Sequence, residues 1–356
     1  MINPLNLNYD LISLRIALSD KNVVVSSGYI IVSNIIEIDK SYFKWLLHIF
    51  DILYMKSLGA GVRQTLSFTH IENSEFAFPP LSEQTTIANF LDDKTEKIDQ
   101  AISIKEQQIA LLIERKQILI HKAVTRGIRP LSKAEMKDSG VEWIGKIPKH
   151  WEVKALRYVF NLGKGLTITK ANLSDKGVLC VNYGEIHSRY GFELDTNVHE
   201  LQYVDEEYIS TNPNALIKQG DFVFADTSED LEGSGNFTYL KSEDEIFAGY
   251  HTVVARPKKE LCSKFFAYVF ESKAFKNQIR VQVKGVKVYS ITQTILKRPS
   301  VWFPSIDEQK QIVNFLDNET YKIDTAVNIK GQEIEKLKEY KRSLINSVVT
   351  GRVKVR

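Results

Sequence analysis

Two cysteines in 356 residues, Cys180 and Cys262, are too few for a disulfide framework or a structural zinc site. Their scarcity fits a reducing compartment, so a cytoplasmic protein is expected. No apolar run is long enough to cross a bilayer and no signal-peptide pattern opens the chain, so no membrane partner is expected. Neither a GxGxxG turn opening a helix nor a GxxxxGK[ST] phosphate loop occurs. Dinucleotide binding and nucleoside triphosphate hydrolysis by this chain are therefore not expected. Tetrapeptides like NPPY or DPPY are missing too, and the INPLN and TNPNA stretches imitate them poorly. An amino-methyltransferase centre within the chain is not expected.

Three remaining constellations carry little chemistry. Glu152-Val153-Lys154 has the tail of a metal-nuclease motif, but no Pro-Asp precedes it, and a charged surface strand explains it better. Asp226, Glu229, Asp230 and Glu232 crowd together near glycines, yet their spacing misses a calcium loop, so a capped acidic turn is expected. His251 has no cysteine or second histidine nearby and reads as a hydrogen-bonded core histidine. No catalytic and no metal-ligating residues are assigned.

What the chain does have is repetition. FPPLSEQTTIANFLDDKTEKIDQAI begins at Phe78, and FPSIDEQKQIVNFLDNETYKIDTAV begins at Phe303, 225 residues later. Over 78–125 and 303–350, 25 of 48 positions are identical. That period is too long for a stacked solenoid and describes two similar halves, each a globular segment followed by one long helix. Ser82 and Asp307 sit where an N-cap is wanted, with Glu83 and Glu308 placing negative charge in the first turn. Apolar residues then recur at spacings of three and four: Ile87, Leu91, Ile98, Ala101, Ile109, Leu112, Leu119 and Ala123. Their repeats are Ile312, Leu316, Ile323, Ala326, Ile334, Leu337, Leu344 and Val348. This is the seam of a helix that packs lengthwise on another. Lys105, Lys116, Lys330 and Lys341 fall on the same seam and should restrict its register. Roughly 45 residues make a rod of about 65–70 Å.

The globular parts differ. Residues 128–150 read as a linker that Trp143, Ile147 and Trp151 pin to the next domain. Residues 151–302 show short β-type runs broken by turns, plus a helix over CSKFFAYVFESKAFKNQI, and read as mixed α/β with largely antiparallel strands. Residues 1–77 resemble only the end of that region. Gly28-Tyr29 aligns with Gly249-Tyr250, SYFKWLLHIFDILYMKS with the later helix, and Gly61-Val62-Arg63 with Gly285-Val286-Lys287. Exposed apolar surface on this first head, or help from a separate polypeptide, is expected.

Net charge is only +3, but it is unevenly spread. Residues 193–245 hold 14 acidic and 2 basic side chains, while 256–298 hold 11 basic and 2 acidic. Such polarity suggests one face for a polyanion. Lys164 and Lys170 flank the loop GKGLTITK. The loop NYGEIHSRYG offers Asn182, Tyr183, Ser188, Arg189 and Tyr190, and VKGVKVYSIT adds Lys284, Lys287, Tyr289 and Ser290. Lysine and arginine on phosphates supply affinity, while Asn, Arg and Ser at base edges supply sequence choice. These residues are the candidate DNA-binding set.

The order of globular segment, EQxxIxxFLD and KIDxA helix, linker with EWIGKIPKHWEV, second globular segment, second such helix and terminal VVTGRV resembles the specificity subunit of type I restriction-modification enzymes. That resemblance implies a partial first target-recognition domain (1–77), a first conserved helix (78–127), a linker (128–150), a complete second target-recognition domain (151–302) and a second conserved helix (303–351). The helices are expected to lie antiparallel, coiled-coil-like, as a ruler between α/β domains that read a split double-stranded DNA target. It further implies methyltransferase and restriction/translocase subunits as partners. S-adenosylmethionine, ATP and Mg2+ would sit on those partners and no cofactor on this chain. Exposed Glu96, Lys97, Glu114, Lys322, Glu333 and Glu339 would offer the helices' outer faces to the methyltransferase. The short first domain leaves open a cut-down subunit, a split gene, or an inactive remnant serving as adaptor or recombination donor. A protein adaptor and a self-contained DNA enzyme remain as other classes.

Overall fold

The computed structural model describes residues 1–3, 5–6, 16–57, 64–65, 72, 75–130, 132, 135–285 and 287–355. The expected match of Gly61-Val62-Arg63 to 285–287 falls mostly outside them. Helix α1 (Lys40–Ser57), between the paired strands β1 (Leu5–Asn6) and β2 (Gln64–Thr65) in the sequence, precedes two long helices, α2 (Leu81–Arg126) of 46 residues and α9 (Ile306–Val349) of 44. Both long helices begin a residue before the expected caps. The amides of Glu83 and Gln84 already bond the Pro80 carbonyl, and that of Gln309 bonds Ser305. Ser82 and Asp307 are therefore second helical residues, not caps. In each helix a buried glutamine folds back instead: Gln84 Nε2 donates to the Pro79 carbonyl (2.8 Å) and Gln309 Nε2 to that of Pro304 (2.9 Å).

The chain divides into two compact units, Met1–Ala110 with Ala326–Arg356, and Leu111–Thr325. The division falls inside the long helices, so each unit holds one stretch of the helix pair and one head. In the first unit Ile87 and Leu91 of α2 share a core with Ile345 and Val348 of α9. In the second, Ile120 and Val124 meet Ile312 and Leu316. The start of each helix thus meets the end of the other, and the pairing is antiparallel. Of the seam residues, Ile87, Leu91, Ile98, Ile312, Leu316, Ile323 and Ile334 are buried, while Ile109, Leu112, Leu119, Leu337 and Leu344 are half-buried.

The seam lysines fix the register. Lys116 bonds Asp324 and Lys341 bonds Asp99, each at 2.7 Å, and the 225-residue shift exchanges one pair for the other. Lys105 on Glu333 (2.7 Å) and Lys330 on Gln108 (2.6 Å) are related in the same way. Glu333 therefore belongs to the helix interface rather than to an outer docking face. Glu96, Lys97, Glu114, Lys322 and Glu339 are exposed.

The second unit's head is built from small sheets. β3 (Met136–Asp138) pairs with β4 (Lys146–Pro148), and β5 (Glu152–Ala155) with the late strand β17 (Ser300–Phe303). After α3 (Leu156–Val159) come β6 (Phe160–Lys164), β7 (Val178–Val181), α4 (Tyr183–Ser188), β8 (Phe192–Leu194) and β9 (Gln202–Val204). The short α5 (Glu207–Thr211) leads to β10 (Leu216–Ile217), β11 (Phe222–Ala225), β12 (Thr227–Ser228), β13 (Phe237–Leu240), β14 (Ile246–Ala248) and β15 (Thr252–Pro257). Helices α6 (Ser263–Glu271) and α7 (Lys273–Arg280), β16 (Tyr289–Ser290) and α8 (Gln293–Leu296) complete it. One sheet runs β6-β15-β11-β13-β8 and another β10-β14-β7-β9, with β12-β16 a separate pair. Only the β13–β8 and β14–β7 pairings are parallel among those described, so the head is mixed α/β and largely antiparallel as expected.

Apolar β11 and mostly apolar β13 bury every residue, which suits strands covered on both faces. Phe160, Phe222, Phe224, Phe237 and Phe270 interlock between sheet and α6, with Phe270 centred 5.0 Å from Phe222 and 4.6 Å from Phe275. Buried Trp302 donates its indole N–H to the Val124 carbonyl of α2. Trp151 Nε1 and His150 Nε2 both meet the Glu308 carboxylate, at 3.1 and 2.8 Å, so the end of the linker is tied to α9.

Both heads dock on their helices by one scheme. Asp92 accepts bonds from Ser41 (2.6 Å), Lys44 (2.9 Å) and Trp45 (2.9 Å) of α1. Asp317, its repeat, accepts from Tyr268 (2.6 Å) and Lys264 (2.9 Å) of α6. Gln84 Oε1 accepts from the Asp39 amide, and Gln309 Oε1 from the Cys262 amide. Different side chains thus meet the same helix positions.

Candidate nucleic-acid interface

A cleft in the second unit's head forms where three chain segments close on one another. The end of β6 enters it at Lys164, then Gly165 lies flush against the β14–β15 turn, its amide bonded to the Thr252 carbonyl at 3.1 Å. A Cβ on Gly165 would meet Thr252 Oγ1 at 2.0 Å and the Gly249 carbonyl at 2.3 Å, so only glycine allows this approach. The turn carries Tyr250 and His251. His251 holds a left-handed backbone (φ 55°), unusual outside glycine, and its side chain is 57% exposed. Its Nδ1 lies 3.2 Å from Asp226 Oδ1, which also accepts the Thr227 hydroxyl at 2.7 Å. Asp226 follows β11, and its carbonyl takes the Ile291 amide at 2.7 Å, fixing the third wall. Ser290 and Gln293 line that wall.

Above the turn, the Tyr183 ring stands 5.7 Å from Tyr250 and 5.3 Å from His251, both edge-on. Burial, then the neighbouring Tyr183, raises the Tyr250 phenol above its ordinary value, so it stays a neutral hydrogen-bonding group. Aromatic edges, hydroxyls, an amide, an imidazole and a lysine thus line one groove. That is the chemistry that reads base edges and holds a phosphate.

The expected site residues divide into three groups. Lys164, Tyr183, Tyr289 and Ser290 lie in or beside the cleft; Lys164 and Ser290 are exposed, Tyr183 and Tyr289 half-buried. Lys170, Ser188, Arg189, Lys284 and Lys287 are exposed but do not line it. Ser188 donates back to the Gly184 carbonyl at 2.7 Å, a bond internal to α4. Asn182 and Tyr190 are corrections. Asn182 is 2% exposed; its Oδ1 accepts the Tyr250 amide (3.2 Å) and its Nδ2 donates to Glu185 (3.3 Å), so it clamps the turn from inside. Tyr190 is buried, its hydroxyl donating to the Glu200 carbonyl and its ring stacked 4.7 Å from His199. Neither can reach a base without unfolding these contacts.

Sequence reasoning missed Tyr250, Asp226 and Gln293, and it placed His251 in the core. The only signal for the turn was the Gly-Tyr pair, shared with Gly28-Tyr29. The acidic turn is a capped one: Asp230 Oδ1 accepts the Gly233 amide at 2.6 Å, and no metal-holding cluster occurs among the described residues. The basic stretch is partly neutralised. Arg256 pairs with Asp221, Lys264 with Asp317, Lys276 with Glu271 and Arg280 with Glu232. Lys284 and Lys287 have no ion pair among the described residues, which leaves their charge available.

The type I restriction modification DNA specificity domain model matches residues 14–113 and 148–339. The chain belongs to that family. Both matched stretches run from a head into a long helix, the arrangement that the specificity-domain repeat imposes here. The chain is 26% identical over 288 residues to the type I restriction enzyme MjaVIII specificity subunit of Methanocaldococcus jannaschii, covering 80% of this chain and 63% of that protein. It is 23% identical over 213 residues to the EcoKI specificity subunit of Escherichia coli K12, covering 59% and 44%. A solved structure concerning complex assembly and conformational transition of the type I R-M system shares the fold, with TM-score 0.65 at 12% identity over 88% of this chain and 71% of that one. The specificity-domain chain thus spans less than two thirds of the length of its curated relatives.

Proposed function

We propose that this chain is the DNA-recognition subunit of a type I restriction-modification assembly, with the second head reading part of a double-stranded DNA target. Lys164, Lys284 and Lys287 hold phosphates and set register. His251, Tyr250, Ser290 and Gln293, with the exposed Arg189 at the end of α4, meet base edges, and Asn182 and Asp226 hold the turn in place. Methyl transfer from S-adenosylmethionine falls to modification subunits docked on the exposed helix faces. ATP- and Mg2+-dependent restriction falls to translocase subunits. The setting is cytoplasmic phage defence; no helix among the described residues is long and apolar enough to cross a membrane.

The observation that carries this reading is the repeated docking scheme, Gln84 with Asp92 and Gln309 with Asp317, on one antiparallel helix pair. Heads that dock on their own stretches of helix by one scheme suit a target of two parts, as half-site geometry mirrors protein geometry in dimeric readers. The test is methylome mapping of the host with and without the gene. Loss of one methylated motif on deletion, restored by the wild-type gene, supports the reading; a methylome unchanged by deletion contradicts it.

A further inference from the structure

Beside the cleft, the second unit's head holds a recess of about 500 Å³. Its floor is one face of the sheet where β6 meets β15. The register sets Gly163 opposite Val254 and Asn161 opposite Arg256, so these four residues share that face. The far wall is the turn Pro213–Ala215, with Thr211 and Asn212 before it. Lys164, Gly165 and Thr167 border both the recess and the cleft, so the end of β6 is a ridge between two grooves.

Gly163 points to something entering this recess. A glycine inside a strand weakens it, and often marks a place where a ligand or another backbone comes close. Gly165 is explained within the fold, since a Cβ there would collide with the β14–β15 turn. Gly163 is not. It has no left-handed backbone, and a Cβ on it would meet only the Asn214 carbonyl and Val254 Cβ, both at an ordinary 3.8 Å. The fold itself would accept a larger residue, whose side chain would fill the floor.

The walls agree with the floor. Asn161 and Asn214 are exposed, and neither carboxamide has a hydrogen bond among the described residues. The turn that carries Asn214 is nonetheless fixed. The Ala215 amide bonds the Asn212 carbonyl at 3.0 Å, the Asn212 amide bonds the Tyr208 carbonyl at 2.8 Å, and Arg256 Nη2 donates to the Leu216 carbonyl at 2.7 Å. Free carboxamides on a rigid frame are preorganised for a partner. Among the described lining residues none is aromatic and none is a carboxylate. An extruded base would find no ring to stack on, and a cation no counter-charge. Base edges within a duplex need neither, and asparagine can bond adenine at N6 and N7 together.

We infer that this recess is a second reading groove, in which Asn161 and Asn214 select base pairs adjoining those read in the cleft, A·T pairs in particular. Lys164 on the ridge holds the phosphate between the two sets, and Gly163 keeps the floor clear. The inference rests on the DNA-reading proposal and extends the stretch of target that one head reads.

Selection from a random duplex pool with the full chain tests it, comparing the wild type with Gly163→Val, with Asn161→Ala plus Asn214→Ala, and with His251→Ala. Urea unfolding accompanies each variant, and midpoints close to that of the wild type are expected. Gly163→Val and the asparagine pair should relax the same positions of the motif, losing about fivefold or more in discrimination there. The positions relaxed by His251→Ala should stay unchanged in both. If Gly163→Val lowers the midpoint, the asparagine pair alone decides, because both side chains are exposed and unbonded. A wild-type motif retained by the asparagine pair overturns the inference and leaves the cleft's reading intact. Uniform loss of affinity on every sequence overturns it too, since the recess would then hold backbone and read nothing. So does relaxation at the positions of His251→Ala, which would mean one groove and not two. No motif enriched by the wild type would remove the DNA-reading proposal itself, and this inference with it.

Discussion

Replacing Asp92 by alanine should loosen the first head from its helix. The carboxylate accepts three bonds, from Ser41 at 2.6 Å and from Lys44 and Trp45 at 2.9 Å. A hydrogen bond to a charged group contributes about 1.5–3 kcal/mol, so three give a nominal range of about 5–9 kcal/mol. Asp92's side chain is 43% exposed, however, so water screens the charge and rehydrates Lys44 once it is freed. A loss of about 2–4 kcal/mol is the reasoned figure. Burial works to raise the Asp92 pKa, but the bonds from Ser41, Lys44 and Trp45 outweigh it and hold the carboxyl below its ordinary value. A depressed native pKa means this stabilisation is complete above the unfolded value of about 3.9 and disappears as pH falls through the native one. Native-state hydrogen exchange at the amides of 41–49, measured between pH 7 and pH 3, reads both effects. Asp92→Ala should speed exchange at neutral pH and flatten the acid limb. Asp93→Ala, whose half-exposed carboxylate pairs with Lys97 of its own helix and not with α1, should do neither. Equal behaviour of the two variants would refute the docking argument.

Four further outcomes follow from the geometry. Lys284→Ala with Lys287→Ala should weaken binding to all duplexes alike and lower the salt slope by up to about 1.8, as two lost phosphate contacts require; titration at several salt concentrations measures it. Asn182→Ala should destabilise the fold by about 0.5–2 kcal/mol, because it removes the clamp on Tyr250 and the cap of α4, and urea unfolding detects this. His251→Ala should leave the unfolding midpoint nearly unchanged and instead alter which sequences are selected from a duplex pool. Phe270→Ala, which empties the centre of the aromatic core, should cost about 3–5 kcal/mol in the same unfolding assay.

The helix pair was legible because its determinants are local and periodic. Every seam residue from Ile87 to Leu344 is buried or half-buried, and the lysines on the seam find their partners on the opposite helix. The caps were misplaced by one position because the Pro80 and Ser305 carbonyls already accept the first helical amides, while Gln84 and Gln309 fold back onto the Pro79 and Pro304 carbonyls, and nothing in the local sequence marks either bond. The cleft was only half legible. Lys164 and Ser290 stand where basic and hydroxyl residues in glycine-bearing loops suggested. Asn182 misled, since its partner Tyr250 lies 68 residues away and nothing local marks it as buried. His251 misled in the opposite sense, because its left-handed backbone turns a side chain flanked by apolar strands out toward solvent.

Selection from a random pool of double-stranded DNA, with the full chain at physiological salt and with His251→Ala beside it, tests the central claim most directly. The account predicts one enriched motif for the wild type, with a steep salt dependence of its affinity, and a relaxed or shifted motif for the variant. Salt-dependent binding without enrichment of any sequence would mean that the cleft holds phosphates but reads nothing, and would contradict the account.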